Sequence, residues 1–184
     1  DLRGFTPLSD RLPPDAIVEL LNRYFDCQVA PILEHGGEVL KFMGDGLLAV
    51  FPVAEDGTDM RTVSQAVLQA ARASRANVAS LEYAIGDELL GAFRFGLALH
   101  VGQVLYGNIG GGDRLDFTCI GPAVNLAARL EKIAGALNRT VVASSAFAGA
   151  FSEGWSDLGE FPIAGFRRAE HVYGLIDEIL SEQG

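Results

Sequence analysis

Glu38-Val39-Leu40-Lys41-Phe42-Met43-Gly44-Asp45-Gly46-Leu47-Leu48-Ala49-Val50-Phe51 contains two short β-type runs, Glu38–Phe42 and Leu47–Phe51, joined by Met43-Gly44-Asp45-Gly46. Asp-Gly between apolar runs is a strong hairpin signal, and both residues tolerate the positive φ of a type I′ turn. Lys41 interrupts the apolar series Val39, Leu40, Phe42, an expensive place for an ammonium unless it is paired or on an edge strand.

Upstream of the hairpin, Ile17, Leu20, Leu21, Tyr24 and Phe25 follow the i, i+3, i+4, i+7, i+8 series of an amphipathic helix. That helix begins after Pro13-Pro14 and stops at Gly36-Gly37, with Pro31 as a bending point. Downstream, Val63, Ala66, Val67, Ala70, Ala71, Ser74, Val78 and Leu81 mark a second helix with a stripe of mostly small residues. Phe93, Phe95, Leu97 and Leu99 alternate with Arg94, Gly96, Ala98 and His100 as a period-2 strand. Gly102–Ile109 reads as the next strand, Gly107–Asp113 as a turn or loop, and Asp116–Ile120 as a short strand. Gly121-Pro122 opens a third helix, since proline loses nothing at the first helical position. Thr140–Ala143, Trp155–Phe161 and His171–Ile176 are further strand candidates around a short helix near Ser144–Ala150. This order predicts an α+β fold with helices on a mostly antiparallel sheet.

At 184 residues the chain suits one domain, residues 1–184, with a sizeable core. Its composition, 49% hydrophobic and 21% charged, is globular and excludes disorder. The net charge of −10 with no basic run argues against nucleic-acid binding. An anionic substrate would need local cations to offset that field. No apolar stretch approaches the ~20 residues of a membrane span, and Cys27 and Cys119 are isolated, as in a reducing compartment. A cytoplasmic location without membrane contact is expected.

Three segments carry candidate chemistry. Asp1-Leu2-Arg3-Gly4-Phe5-Thr6 offers a carboxylate beside backbone N–H groups suited to phosphate; Asp1 or Thr6 capping a turn is the plain alternative. Asp45 is either a turn residue or one of a pair of inward-facing acids. In Asp116–Glu131, Asn125 and Arg129 lie four apart on one helical face, where an amide and a guanidinium suit a phosphorylated ligand; Arg129 pairing with a surface carboxylate is the alternative.

Taken in order, these segments resemble the catalytic domain of the class III nucleotidyl cyclases. The matching stretches are residues 1–6, 38–51, 99–110 and 116–131, with the tail at 161–175. The resemblance implies the ferredoxin-like βαββαβ cyclase core. It implies that Asp1 and Asp45, with the Leu2 carbonyl, hold two Mg²⁺ ions, or Mn²⁺ in their place, and that Gly4, Phe5 and Thr6 cradle phosphate. It implies that Lys41 and Thr118 read the base, that Asn125 orients the ribose and that Arg129 stabilises charge at the α-phosphorus. Guanylate cyclases generally place Glu and Cys where Lys41 and Thr118 stand, so ATP is the expected substrate and cyclic AMP with pyrophosphate the expected products. Lys41 with Thr118 also resembles a bacterial subgroup stimulated by bicarbonate. A homodimer is implied in which each site draws its acids from one chain and its other residues from the partner.

Two departures accompany the resemblance. The family usually has an apolar strand before the first acid, whereas this chain begins at Asp1; the numbering is therefore expected to start partway into a longer protein, with a regulatory domain elsewhere. Near Ala164-Gly165 many members carry a phosphate-contacting lysine, where this chain has Arg167 and Arg168. The competing readings are a guanylate or mixed-specificity cyclase and a non-catalytic cyclase-like module. A diguanylate cyclase is excluded because the hairpin reads Phe42-Met43-Gly44-Asp45-Gly46 rather than GG(D/E)EF.

Overall fold

The computed structural model describes residues 1–57, 59–111, 114–151 and 153–178; Gly112 and Asp113 of the expected loop lie outside them. The chain divides into two compact units, residues 1–95 and 96–184.

The first unit contains α1 (Phe5–Ser9), α2 (Pro14–Glu34), β1 (Glu38–Met43), β2 (Gly46–Val50), α3 (Met60–Ala79), β3 (Tyr83–Ile85) and β4 (Glu88–Leu90). Pro14 starts α2, and the helix buries Leu20, Tyr24, Gln28, Pro31 and Ile32, whose spacing keeps them on one face. The α3 stripe buries Ser64, Ala70, Ala71, Ser74 and Val78, small side chains that permit close approach. Leu12, Leu20 and Tyr83 form a core cluster with Phe93 and Leu90 against it.

The second unit contains β5 (Leu97–Leu99), β6 (Leu105–Gly111), β7 (Arg114–Ile120), α4 (Pro122–Ala136), β8 (Val141–Ser144), α5 (Ser145–Ala148), β9 (Trp155–Phe161) and β10 (Glu170–Leu175). Its sheet runs β5-β8-β10-β9, parallel only between β5 and β8. Leu126, Leu130 and Ala134, one turn apart along α4, pack on Val142, Ile163 and Val172. Fully burying a leucine such as Leu130 contributes about 1.5–3 kcal/mol, so this stripe fixes the helix on the sheet. The α+β expectation with mostly antiparallel pairing is met.

Local expectations needed correction. The hairpin β1–β2 pairs Met43 with Gly46, so its two-residue loop is Gly44-Asp45 rather than Asp45-Gly46. Gly44 alone takes positive φ (67°), the II′ arrangement, which keeps the strand twist without strain on Asp45. The register skips Leu40, a bulge that re-aims the neighbouring side chains. Phe42 packs on Phe25 of α2 at 4.6 Å, and Lys41, one residue earlier, is exposed rather than buried among apolar neighbours. The segment Gly107–Gly111 is not a loop but the end of β6, paired with β7 to Arg114. The long alternating strand at 93–99 shrinks to a bridge at Phe95, paired with Leu2, and the three residues of β5. The hairpin β3–β4 was not anticipated; its strands have three residues each, too few to show a period.

Candidate active site

In the first unit the segments that carry the two acids meet. The Leu2 N–H donates to the Asp45 carbonyl (3.1 Å), and the Arg3 N–H donates to the Arg94 carbonyl (2.7 Å). These bonds lay the N-terminal segment between the hairpin tip and residue 94. The Asp1 carboxylate then reaches over Gly46: a Cβ at Gly46 would stand 2.9 Å from Asp1 Oδ1. A side chain at this position would push the carboxylate aside, a shift its free end can make. Asp45, next in the chain to Gly46, is half-buried at the turn, and its carboxylate has no hydrogen-bond or ion-pair partner among the described residues.

Gly4 is left-handed (φ 72°) and immediately precedes α1, a conformation open to glycine at little cost. The first N–H groups of the turn, at Phe5 and Thr6, precede the first intrahelical hydrogen bond. Gly4 also lines an open cavity of about 370 Å³ with Arg3, Leu8, Arg11 and Arg94 among others. Three guanidiniums around one cavity stand out in a chain of net charge −10. The sequence reading missed this cluster, although Arg94 between Phe93 and Phe95 carried the same signal as Lys41, a cation among apolar residues. Arg11 also pairs with Glu88 on the surface at 2.7 Å.

In the second unit Thr118 sits on β7 opposite Gly107 of β6. Its side chain is buried (8% exposed), and Oγ1 has no hydrogen-bond partner among the described residues. A buried orphan hydroxyl is costly unless a ligand completes it. On α4, Asn125 and Arg129 are both exposed, and neither side chain has a hydrogen-bond or ion-pair partner among the described residues. The surface ion pair considered as the alternative for Arg129 is therefore not formed among the described residues. Lys41 likewise stands without such a partner. Arg167 and Arg168 are exposed between β9 and β10.

Among the described residues, no three His, Cys, Asp or Glu side chains cluster to hold a metal ion. Two acids on adjoining backbone segments, with the carbonyl of Leu2 after Asp1, are nonetheless chemically suited to Mg²⁺. That ion is commonly held by one or two carboxylates, with water and substrate phosphates completing its octahedron.

The sequence matches the adenylate and guanylate cyclase catalytic domain family over residues 1–176. The chain belongs to that family. It is 35% identical over 132 residues to an adenylate cyclase of Anabaena cylindrica, a match covering 71% of this chain and 25% of that protein. This cyclase domain thus spans about a quarter of that relative's length. It superposes on the adenylyl cyclase CyaB from P. aeruginosa with a TM-score of 0.73 and 28% identity, covering 96% of this chain and 90% of the other. It also superposes on the guanylyl cyclase Cya2 (TM-score 0.62, 26% identity, 95% and 87% covered). Family membership therefore leaves the choice of purine to the residues of the site.

Proposed function

We propose that this cyclase domain converts ATP to 3′,5′-cyclic AMP and pyrophosphate. The observation that carries the adenine reading is Thr118 Oγ1 on β7, opposite Gly107 of β6, buried and without a hydrogen-bond partner among the described residues. A threonine oxygen accepts from the exocyclic amine of adenine, and the Lys41 ammonium donates to a ring nitrogen. Guanine presents a donor, N1–H, where adenine presents an acceptor, so the Lys41 ammonium is mismatched to GTP, whereas a threonine hydroxyl can serve either base.

Asp1, Asp45 and the Leu2 carbonyl would hold two Mg²⁺ or Mn²⁺ ions, which when bound acidify the attacking 3′-hydroxyl and neutralise the phosphates. The chain's own groups do the rest. The N–H groups at Gly4, Phe5 and Thr6 receive phosphate oxygens, and the guanidiniums of Arg3, Arg11 and Arg94 supply positive charge beside them. Asn125 orients the ribose so that the 3′-oxygen lies in line with the α-phosphorus. Arg129 stabilises the charge that develops there as the bond to pyrophosphate breaks.

The working unit is a homodimer in which the acids of one chain meet Lys41, Thr118, Asn125 and Arg129 of the other. Exposed apolar side chains on the two hairpins, Phe42 and Met43 on one and Leu105, Tyr106 and Phe117 on the other, support an interface there. A regulatory domain elsewhere in a longer protein would act through this association. Among the described residues no helix is long and apolar enough to cross a membrane.

Incubation with ATP and GTP in parallel, at high protein concentration with Mn²⁺, tests the reading. Cyclic AMP as the dominant product is expected. Cyclic GTP-derived product in excess would transfer the assignment to a guanylate cyclase, and no cyclic product from either nucleotide would leave only a binding module.

A further inference from the structure

His100 follows β5 and is half-buried, with Nδ1 2.8 Å from Ser144 Oγ at the end of β8. Ser144 is fully buried, and its Oγ already accepts the Phe147 N–H as the cap of α5 (3.2 Å). The serine proton therefore needs an acceptor, and His100 Nδ1 is the one at hand. Were the imidazole to donate from Nδ1 instead, the buried serine proton would have no acceptor among the described residues. The bond thus selects the neutral tautomer protonated at Nε2.

The other edge of the ring faces the start of α4. A Cβ at Gly102 would stand 2.9 Å from His100 Nε2 and 2.7 Å from Ala123 Cβ, so Gly102 is clasped between the imidazole and the first turn of that helix. Residues 103 and 104 continue along the same helix start: a Cβ at Gly121 would meet the Gln103 carbonyl oxygen at 3.5 Å and Val104 Cα at 3.7 Å. The ring, held by a fully buried serine on an interior strand, backs Gly102, which in turn lies against the α4 start. Asn125 and Arg129 project from the next two turns of that helix.

We infer that His100 is a positioning residue for catalysis: held by Ser144 as the Nε2–H tautomer, it sets the placement of the α4 start and so of Asn125 and Arg129. This rests on the cyclase reading for its consequence, though not for its geometry. Because Arg129 acts on transition-state charge, misplacing α4 should lower kcat far more than it raises KM. A displacement on the order of 1 Å costs up to about 10²-fold in rate.

The test uses His100→Leu, which cannot accept from Ser144, and His100→Asn, whose side-chain oxygen can replace Nδ1 as acceptor. With Mn²⁺-ATP, His100→Leu should lose on the order of 10-fold or more in kcat with KM within about twofold of wild type, and His100→Asn should recover most of the loss. A further reading comes from mixing variants. His100→Leu should regain activity with Asp45→Ala, whose intact α4 completes a site with the acids of the His100→Leu chain, and should gain nothing from Arg129→Ala, which shares its lesion. Should His100→Leu fold poorly, Ser144→Ala offers the same kcat loss by removing the proton donor. Long-range ¹⁵N–¹H spectra of the wild-type chain read the tautomer without any activity. An Nδ1–H imidazole, a kcat for His100→Leu within twofold of wild type, no recovery in a folded His100→Asn, or equal complementation by both partners would each overturn the inference. Failure of Asp45→Ala and Arg129→Ala to complement one another would instead fault the shared-site reading. The kcat and tautomer measurements would then still judge His100.

Discussion

The Leu2 N–H donates to the Asp45 carbonyl across 3.1 Å, so one backbone hydrogen bond brings the N-terminal acid to the hairpin that carries the second. Asp1 lies against Gly46 as a result, and the space between them is too small for a methyl group.

Gly46→Ala should therefore damage metal use more than folding. The added carbon would stand 2.9 Å from Asp1 Oδ1, so the carboxylate must move. Activity should fall on the order of 10- to 10²-fold, with a raised Mn²⁺ requirement and a thermal midpoint within a few degrees of wild type. A metal titration that superposes on that of wild type would show that the position of Asp1 over Gly46 is not used.

Base choice should follow Lys41 and Thr118. The double variant Lys41→Glu with Thr118→Cys should weaken ATP use and raise relative GTP use, with a change in kcat/KM ratio on the order of 10²-fold. The measurement is the kcat/KM ratio for the two nucleotides. An unchanged ratio would mean that these side chains do not read the purine.

Shared sites make a sharp prediction about mixtures. Asp45→Ala and Arg129→Ala homodimers should each be inactive while keeping wild-type circular dichroism, because both residues sit at the surface of their elements. Mixed, they form heterodimers in which one site carries both lesions and the other none. Activity should reappear in proportion to heterodimer and rise with protein concentration. Silence after verified subunit exchange would place the whole site within one chain.

His100 should leave a trace in the pH dependence of stability. Burial lowers its pKa below the usual 6.5, with Glu170 opposing that shift, while Ser144 contacts the ring. The unfolded chain then takes up a proton at higher pH than the folded one. Its contribution is present above about pH 6.5 and is lost as pH falls from there through the folded pKa. The thermal midpoint should decline from pH 7 to pH 5, and His100→Asn should flatten part of that decline. An identical slope in the variant would show that the imidazole is not protonated on unfolding in this range.

What was legible in the sequence was whatever depends on neighbours along the chain. Pro14 and the helical spacing of Ile17, Leu20 and Tyr24 define α2, Gly121-Pro122 opens α4, and the Asn125–Arg129 spacing alone puts both side chains on one helical face. The resemblance to the family's motifs named Asp1, Lys41, Asp45 and Thr118 as candidates from their places along the chain. The tertiary structure decided what depends on partners far along the chain. Gly107–Gly111 has a loop's composition yet forms strand because β7 supplies its hydrogen-bond partners, and pairing outweighs weak β propensity. The bulge at Leu40 follows from the register against β2, and Lys41 beyond it is exposed, which no local alternation shows. The contact of Asp1 with Gly46 and the lock of His100 on Ser144 join residues more than 40 positions apart. Such contacts are set by how the strands pack, and composition and periodicity carry no record of distance across a fold.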